Sequence, residues 1–114
     1  MSTTETGRAG EDQAVRVLRD AGLEIVERNY RCPLGELDVI ARDGALLVFV
    51  EIRLRTRADR GSALETVGSA KRARVARVAE HYLAKRQPKA AGIRFDVVGI
   101  TAGEVVHIRD AFRL

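Results

Sequence analysis

The chain has 114 residues, enough for one domain with a sizeable core, and is 32% charged and 46% hydrophobic. No apolar run approaches the roughly 18–20 residues that a membrane span needs, and the single Cys32 excludes an internal disulfide or a multi-cysteine metal site. The formal net charge of +4 is unevenly spread: residues 1–52 carry −4, residues 53–94 carry +9 and residues 95–114 carry −1. A basic block of that size points to a polyanionic partner, nucleic acid first, against the alternative of a merely soluble basic surface. Residues 1–6 hold no basic region followed by an apolar stretch, so no secretory signal is read there and a reducing, cytoplasmic setting is expected.

In chain order, residues 1–6 are expected to be disordered, and a helix is predicted from Arg8 to Ala21 with Gly22 as its C-terminal stop. Ala14, Leu18 and Ala21 fall on one helical stripe with Val17 beside it, and Glu11 lies on that same inward stripe. A glutamate on a packing face wants a partner; the alternative is that Glu11 merely benefits from the dipole of the first turn. Residues 23–31 read as a strand, and residues 32–35 as a turn.

Two apolar runs then flank Asp43-Gly44, a strong hairpin signal. The prediction is strand 36–42, a turn at Asp43-Gly44, and strand 45–53, so that Asp38 faces Phe49 and Glu36 faces Glu51. Side-chain alternation then puts Glu36, Asp38, Glu51 and Arg53 on one face, with Asp38 and Glu51 diagonal neighbours roughly 7–8 Å apart. The other face carries Leu37, Val39, Ala41, Leu46, Val48, Val50 and Ile52. Acids crowded beside Ile40, Leu47 and Phe49 either share protons or hold a cation. The bland alternative is a solvated strand end, with Glu51 paired to Arg53 or Arg55.

A loop follows with Arg55, Arg57 and Arg60, and then a helix over 70–87 capped by Ser69 and stopped before Pro88. Ala76, Ala79 and Leu83 mark its apolar side, while Lys71, Arg74, Arg77, His81 and Lys85 form a stripe of mostly one sign. Such a stripe repels itself unless an anion covers it. Two more strands, 94–100 and 104–108, close the chain around an Ala102-Gly103 turn. Asp96 either faces the acids from a neighbouring strand or pairs with Arg94, and His107 reads as a packed strand histidine. The order αβββαββ predicts an α/β domain with a mixed central sheet flanked by helices. Nothing supports nucleophilic catalysis by a Ser/His/Asp or Cys/His set.

Asp38 followed by Glu51-Ile52-Arg53 on the next strand resembles the signature of the PD-(D/E)xK nuclease superfamily. The wider string is similar to the YraN family of small, uncharacterised bacterial proteins: Gly10-Glu11, Arg28-Asn29-Tyr30-Arg31, Gly35-Glu36-Leu37-Asp38, Val50-Glu51-Ile52-Arg53, Arg94-Phe95-Asp96 and Asp110-Ala111-Phe112. That family is considered endonuclease-like and related to Holliday-junction resolvases. The resemblance implies a restriction-endonuclease-like core, Mg²⁺ or Mn²⁺ at Asp38 and Glu51, and an assisting acid at Glu11. One departure matters, because the superfamily's lysine falls on Arg53. Arginine stays protonated and cannot act as a base, although it can clamp a phosphate.

The expected function is therefore a divalent-metal-dependent DNA endonuclease for branched or structured DNA. Asp38, Glu51 and Glu11 would serve the metal and Arg53 the phosphate, with Glu36 assisting. Arg55, Arg57, Arg60, Lys71, Arg74 and Arg77 would hold the nucleic-acid backbone. A symmetric junction would favour a homodimer. The alternatives are a non-catalytic nucleic-acid-binding module on a nuclease-like fold, which Arg53 favours, and an assembly protein whose basic helix meets an acidic partner.

Overall fold

The structure is a computed structural model and describes residues 3–55, 68–101 and 104–113. Its elements are α1 (Thr3–Asp20), β1 (Glu24–Cys32), β2 (Gly35–Asp43), β3 (Leu46–Arg55), α2 (Ser69–Arg86), β4 (Gly92–Thr101) and β5 (Glu104–Phe112). The expected order αβββαββ is observed. The strands form one sheet in sequence order, with β3 and β4 parallel and every other neighbouring pair antiparallel. A parallel pair needs a crossover, and α2 lies within it. The result is a mixed α/β fold compatible with a nuclease-like core. Among the described residues no helix is long and apolar enough to cross a membrane.

One helix covers each face of the sheet. Ala14, Val15 and Leu18 of α1 pack on Val39, Val48 and Val50. Val75, Val78 and Tyr82 of α2 pack on Leu37, Ile40 and Phe49. Each valine, leucine, isoleucine or phenylalanine among them contributes about 1.5–3 kcal/mol when withdrawn from water, which outweighs the modest propensity of either helix. The α1 helix starts five residues before the expected Arg8 and ends as its sequence indicates. Gly22 takes a positive φ of 93°, its N–H donates to the Arg19 carbonyl, and the Leu23 N–H donates to that of Leu18. In α2 the expectation fails in detail: Gly68 is the N-cap and Ser69 the first helical residue, with no side-chain cap bond.

The β2–β3 register also differs from expectation. Asp43 pairs with Leu46, Ile40 with Phe49 and Val39 with Val50, so the two turn residues are Gly44 and Ala45. The cause is local. A turn of the Asp43-Gly44 kind needs positive φ at both central residues, whereas here Gly44 alone adopts it, at 60°, in the first turn position. Asp43 is left on the ladder, where Arg94 donates to it at 2.7 Å. The turn moves by one residue and each partner on β3 by two, so the register carried one step past Val39–Val50 sets Asp38 opposite Glu51 rather than Phe49.

Alternation along β2 breaks at Asp38. Leu37 lies in the core beneath α2, while Val39 and Ala41 lie beneath α1, so the expected single apolar face is divided. Across the β1 ladder, between the Arg28–Val39 and Tyr30–Leu37 pairs, stands Asn29 with φ 56°. Asparagine tolerates this conformation better than most residues.

Asp96 does not face the acids of β2 and β3. It is fully buried and accepts two bonds from Arg94, one from His107 Nε2 at 2.8 Å and one from the Asp110 N–H at 3.0 Å. Burial alone would push this carboxyl up; the donors from His107, Arg94 and Asp110 outweigh it and hold the group below its ordinary value. Its stabilising contribution is therefore full above the unfolded value of about 3.9 and is lost as pH falls through the lower folded value. Asp96→Ala strips the half-buried His107 of its acceptor and leaves Arg94 with Asp43 alone, and is expected to cost about 3 kcal/mol. Urea denaturation at pH 7 measures this loss, and the difference from wild type should shrink below about pH 4.

Candidate functional site

β2 and β3 stay hydrogen-bonded up to the Val39–Val50 pair and then part. Asp38 stands in the fork. Its Oδ2 accepts the Ile52 N–H at 2.8 Å, so a side chain satisfies a backbone donor that the ladder no longer reaches. Glu51 occupies the other branch and is only 6% exposed. It points to the α2 side, where the first turn of that helix brings Lys71 Nζ to 2.9 Å from Glu51 Oε1. Burial and the charge of Glu51 push Asp38 up to about 7; Glu36 adds to this, and the Ile52 N–H opposes it.

Glu11 has the partner that its place on the inward stripe demands. Its Oε1 accepts from Arg28 Nε at 2.9 Å and from Asn29 Nδ2 at 2.8 Å. Arg28 also donates to Asp12 at 2.7 Å, so one β1 arginine anchors the start of the packed part of α1. Glu11 and Asp38 line a common cleft of about 200 Å³ with Asn29, Glu36, Ile52 and Leu54. Among the described residues, no three His, Cys, Asp or Glu side chains come together as a metal site. The structure thus joins Asp38 to Glu51 and leaves Glu11 across the cleft. Glu36 is turned outward onto Arg31, at 2.9 Å.

Arg53 follows Glu51 by two residues on β3 and is half-buried. Arg74 and Arg77 are exposed on α2. Lys71 and Arg74 line a groove of about 520 Å³ with Arg31, Glu36 and the turn at Pro33-Leu34. Arg57 and Arg60, and the side chain of Arg55, lie outside the described residues. His81, which the sequence placed on the basic stripe, is half-buried and bonded through Nδ1 to the Tyr30 hydroxyl at 2.5 Å.

Sequence reasoning missed two residues here. Arg28 and Asn29 enter the sequence analysis only within the string that resembles the YraN family, and nothing local reveals that they hold Glu11. Lys71 is expected from the sequence to hold a nucleic-acid backbone, and in the structure its ammonium sits on the site's most buried acid. A signal existed: Glu51 in an apolar strand needs a cation, and α2 is the next basic element along the chain.

Cations of two kinds suit paired carboxylates. A hydrogen-bonding cation is present there as Lys71, and Mg²⁺ needs only one or two carboxylates, keeping water and substrate phosphate as its other ligands. The oxygen-only pair suits Mg²⁺ or Mn²⁺ rather than zinc. Because Asp38 is held above its unfolded value of about 3.9, its ionisation costs stability progressively as pH rises from about 4 to about 7. Asp38→Asn keeps an acceptor for Ile52 and removes that cost. It is expected to be on the order of 1–3 kcal/mol more stable than wild type at pH 8, with little difference at pH 4, as followed by thermal unfolding.

Comparison with known proteins places the chain among relatives of like size. A UPF0102 protein of Desulfitobacterium hafniense is 47% identical over 95 residues, covering 82% of this chain and 78% of the relative. A UPF0102 protein of Dictyoglomus thermophilum is 40% identical over 110 residues, covering 96% and 93%. One from Ralstonia pickettii is 44% identical over 114 residues, covering 96% and 91%. The profile of the uncharacterised protein family UPF0102 matches residues 10–100, which include the Asp38–Glu51 fork and its cleft, and the chain belongs to that family.

Proposed function

We propose that the protein is a divalent-metal-dependent endonuclease acting on branched or otherwise structured DNA. The observation that carries this reading is the Asp38–Glu51 pair, crowded at a strand fork and bordered by a cationic groove. Facing acids destabilise a sheet, and a cation held between them would offset that cost. Asp38 and Glu51 would hold Mg²⁺ or Mn²⁺. When bound, the ion would supply an activated water and offset the charge that builds on the phosphate.

The chain's own residues do the rest. Arg28 and Asn29 fix Glu11 at the opposite wall of the cleft, where it can accept a hydrogen bond from a water approaching Asp38. Arg53 donates to the phosphate and stabilises its charge; it does not take a proton. Arg31 and Arg74 lie on two sides of the groove and set the path of the backbone. Arg77 extends this path along α2.

A second reading, a non-catalytic nucleic-acid-binding module, is favoured by Arg53 at the lysine position and by the lack of a three-acid cluster among the described residues. The two separate in one experiment on labelled single-stranded, duplex, flap and four-way-junction DNA with Mg²⁺, Mn²⁺ or EDTA. The nuclease reading expects metal-dependent cutting that Asp38→Ala reduces by at least about 100-fold while DNA binding survives. Binding with no cutting under any ion selects the module. In either case Arg74→Ala is expected to weaken binding across sequences and to reduce the salt slope by about 1.

A further inference from the structure

The Lys71–Glu51 ion pair has a consequence that depends on this reading of the site. Glu51 is nearly sealed, with 7% of its side chain exposed, whereas Lys71 is 34% exposed and rises from the first turn of α2. Its ammonium therefore occupies one oxygen of a carboxylate that a divalent ion would need. Lys71 also borders the groove lined by Arg31, Arg74 and Glu36. On that side Glu36 is neutralised by Arg31 at 2.9 Å, so the groove is open to an anion. A lysine can swing between two partners, because its ammonium is a point charge with three rotatable donors on a flexible four-carbon stem.

We propose that Lys71 is an internal counter-ion that competes with a divalent cation for Glu51 and passes to a backbone phosphate when nucleic acid enters the groove. Without ligand, Lys71 offsets the charge of the acids and keeps the fork assembled. A divalent ion at Asp38 and Glu51 must displace the ammonium, which then faces the groove. A phosphate arriving in the groove draws the ammonium off Glu51 and exposes the carboxylate. Each ligand thus favours the other, and linkage requires the coupling to be mutual. A purely structural ion pair has a different signature: its removal loosens the fork and does nothing to improve cation binding.

The test is a Mn²⁺ titration of the whole chain without DNA, following free Mn²⁺ by electron paramagnetic resonance. Wild type, Lys71→Met and Lys71→Arg are compared, with Lys71→Gln as a second neutral variant should Lys71→Met fail to fold. The neutral variant is expected to bind Mn²⁺ about tenfold more tightly, within the roughly 5–150-fold range of site coupling, and Lys71→Arg to stay near wild type. Equal or weaker binding by the neutral variant, with wild type still binding, overturns the proposal and leaves the metal-site reading standing. If no form binds Mn²⁺, both fall together. A second readout uses fluorescence anisotropy of a labelled DNA duplex with Ca²⁺ or EDTA. Ca²⁺ is expected to tighten duplex binding several-fold in wild type and much less in the neutral variant, and an equal effect in both contradicts the coupling.

Discussion

Where β2 and β3 part, the backbone N–H of Ile52 loses its ladder partner, and the Asp38 carboxylate takes it at 2.8 Å. That bond brings a second acid onto the branch opposite Glu51 and so creates a charge problem inside a largely apolar sheet. The surrounding residues answer it. Lys71 comes from α2 to Glu51, Arg28 and Asn29 restrain Glu11, and Arg31 turns Glu36 outward. Both helices are thereby tied to the same end of the sheet as the acids.

Two aspartates, Asp96 fully buried and Asp38 half-buried, show how surroundings decide the role of one residue type. Asp96 collects four hydrogen bonds from Arg94, His107 and Asp110 and is held ionised. It clamps β4 to β5 and, through Arg94, to the β2–β3 turn at Asp43. Asp38 is drawn out of water beside Glu51 and Glu36 with one N–H to oppose them, so it is pushed the other way. Groups perturbed in this sense, inside a cleft, are where chemistry is expected. Asp96 thus closes the β4–β5 side of the sheet, while Asp38 marks the level at which the β2–β3 ladder opens.

Much of this was legible in the sequence. The element order, the mixed sheet and the nearness of Asp38 to Glu51 follow from apolar patterning and a turn at Asp43-Gly44. The exact pairing did not, because Asp43-Gly44 and Gly44-Ala45 are both acceptable turns, and only the tie between Asp43 and Arg94, residues 51 apart, favours the second. The break in alternation at Asp38 was invisible for a similar reason: Leu37 and Val39 look alike on paper, and the core they join depends on how α1 and α2 dock. Glu11 was identified as an acid needing a partner, but that partner lies on β1. Lys71 could be recognised as basic, yet its direction into the fork is set by the packing of Val75 and Val78 on the sheet.

The most direct measurement is a pH titration of the Asp38 side-chain carboxyl by carbon-13 NMR, without and with saturating Mg²⁺. A midpoint near 7 in the metal-free protein, falling by about 1–3 units when Mg²⁺ is present, is the expected result. A midpoint near the ordinary value of about 4, unmoved by Mg²⁺, would contradict a crowded acid pair built to hold a divalent ion.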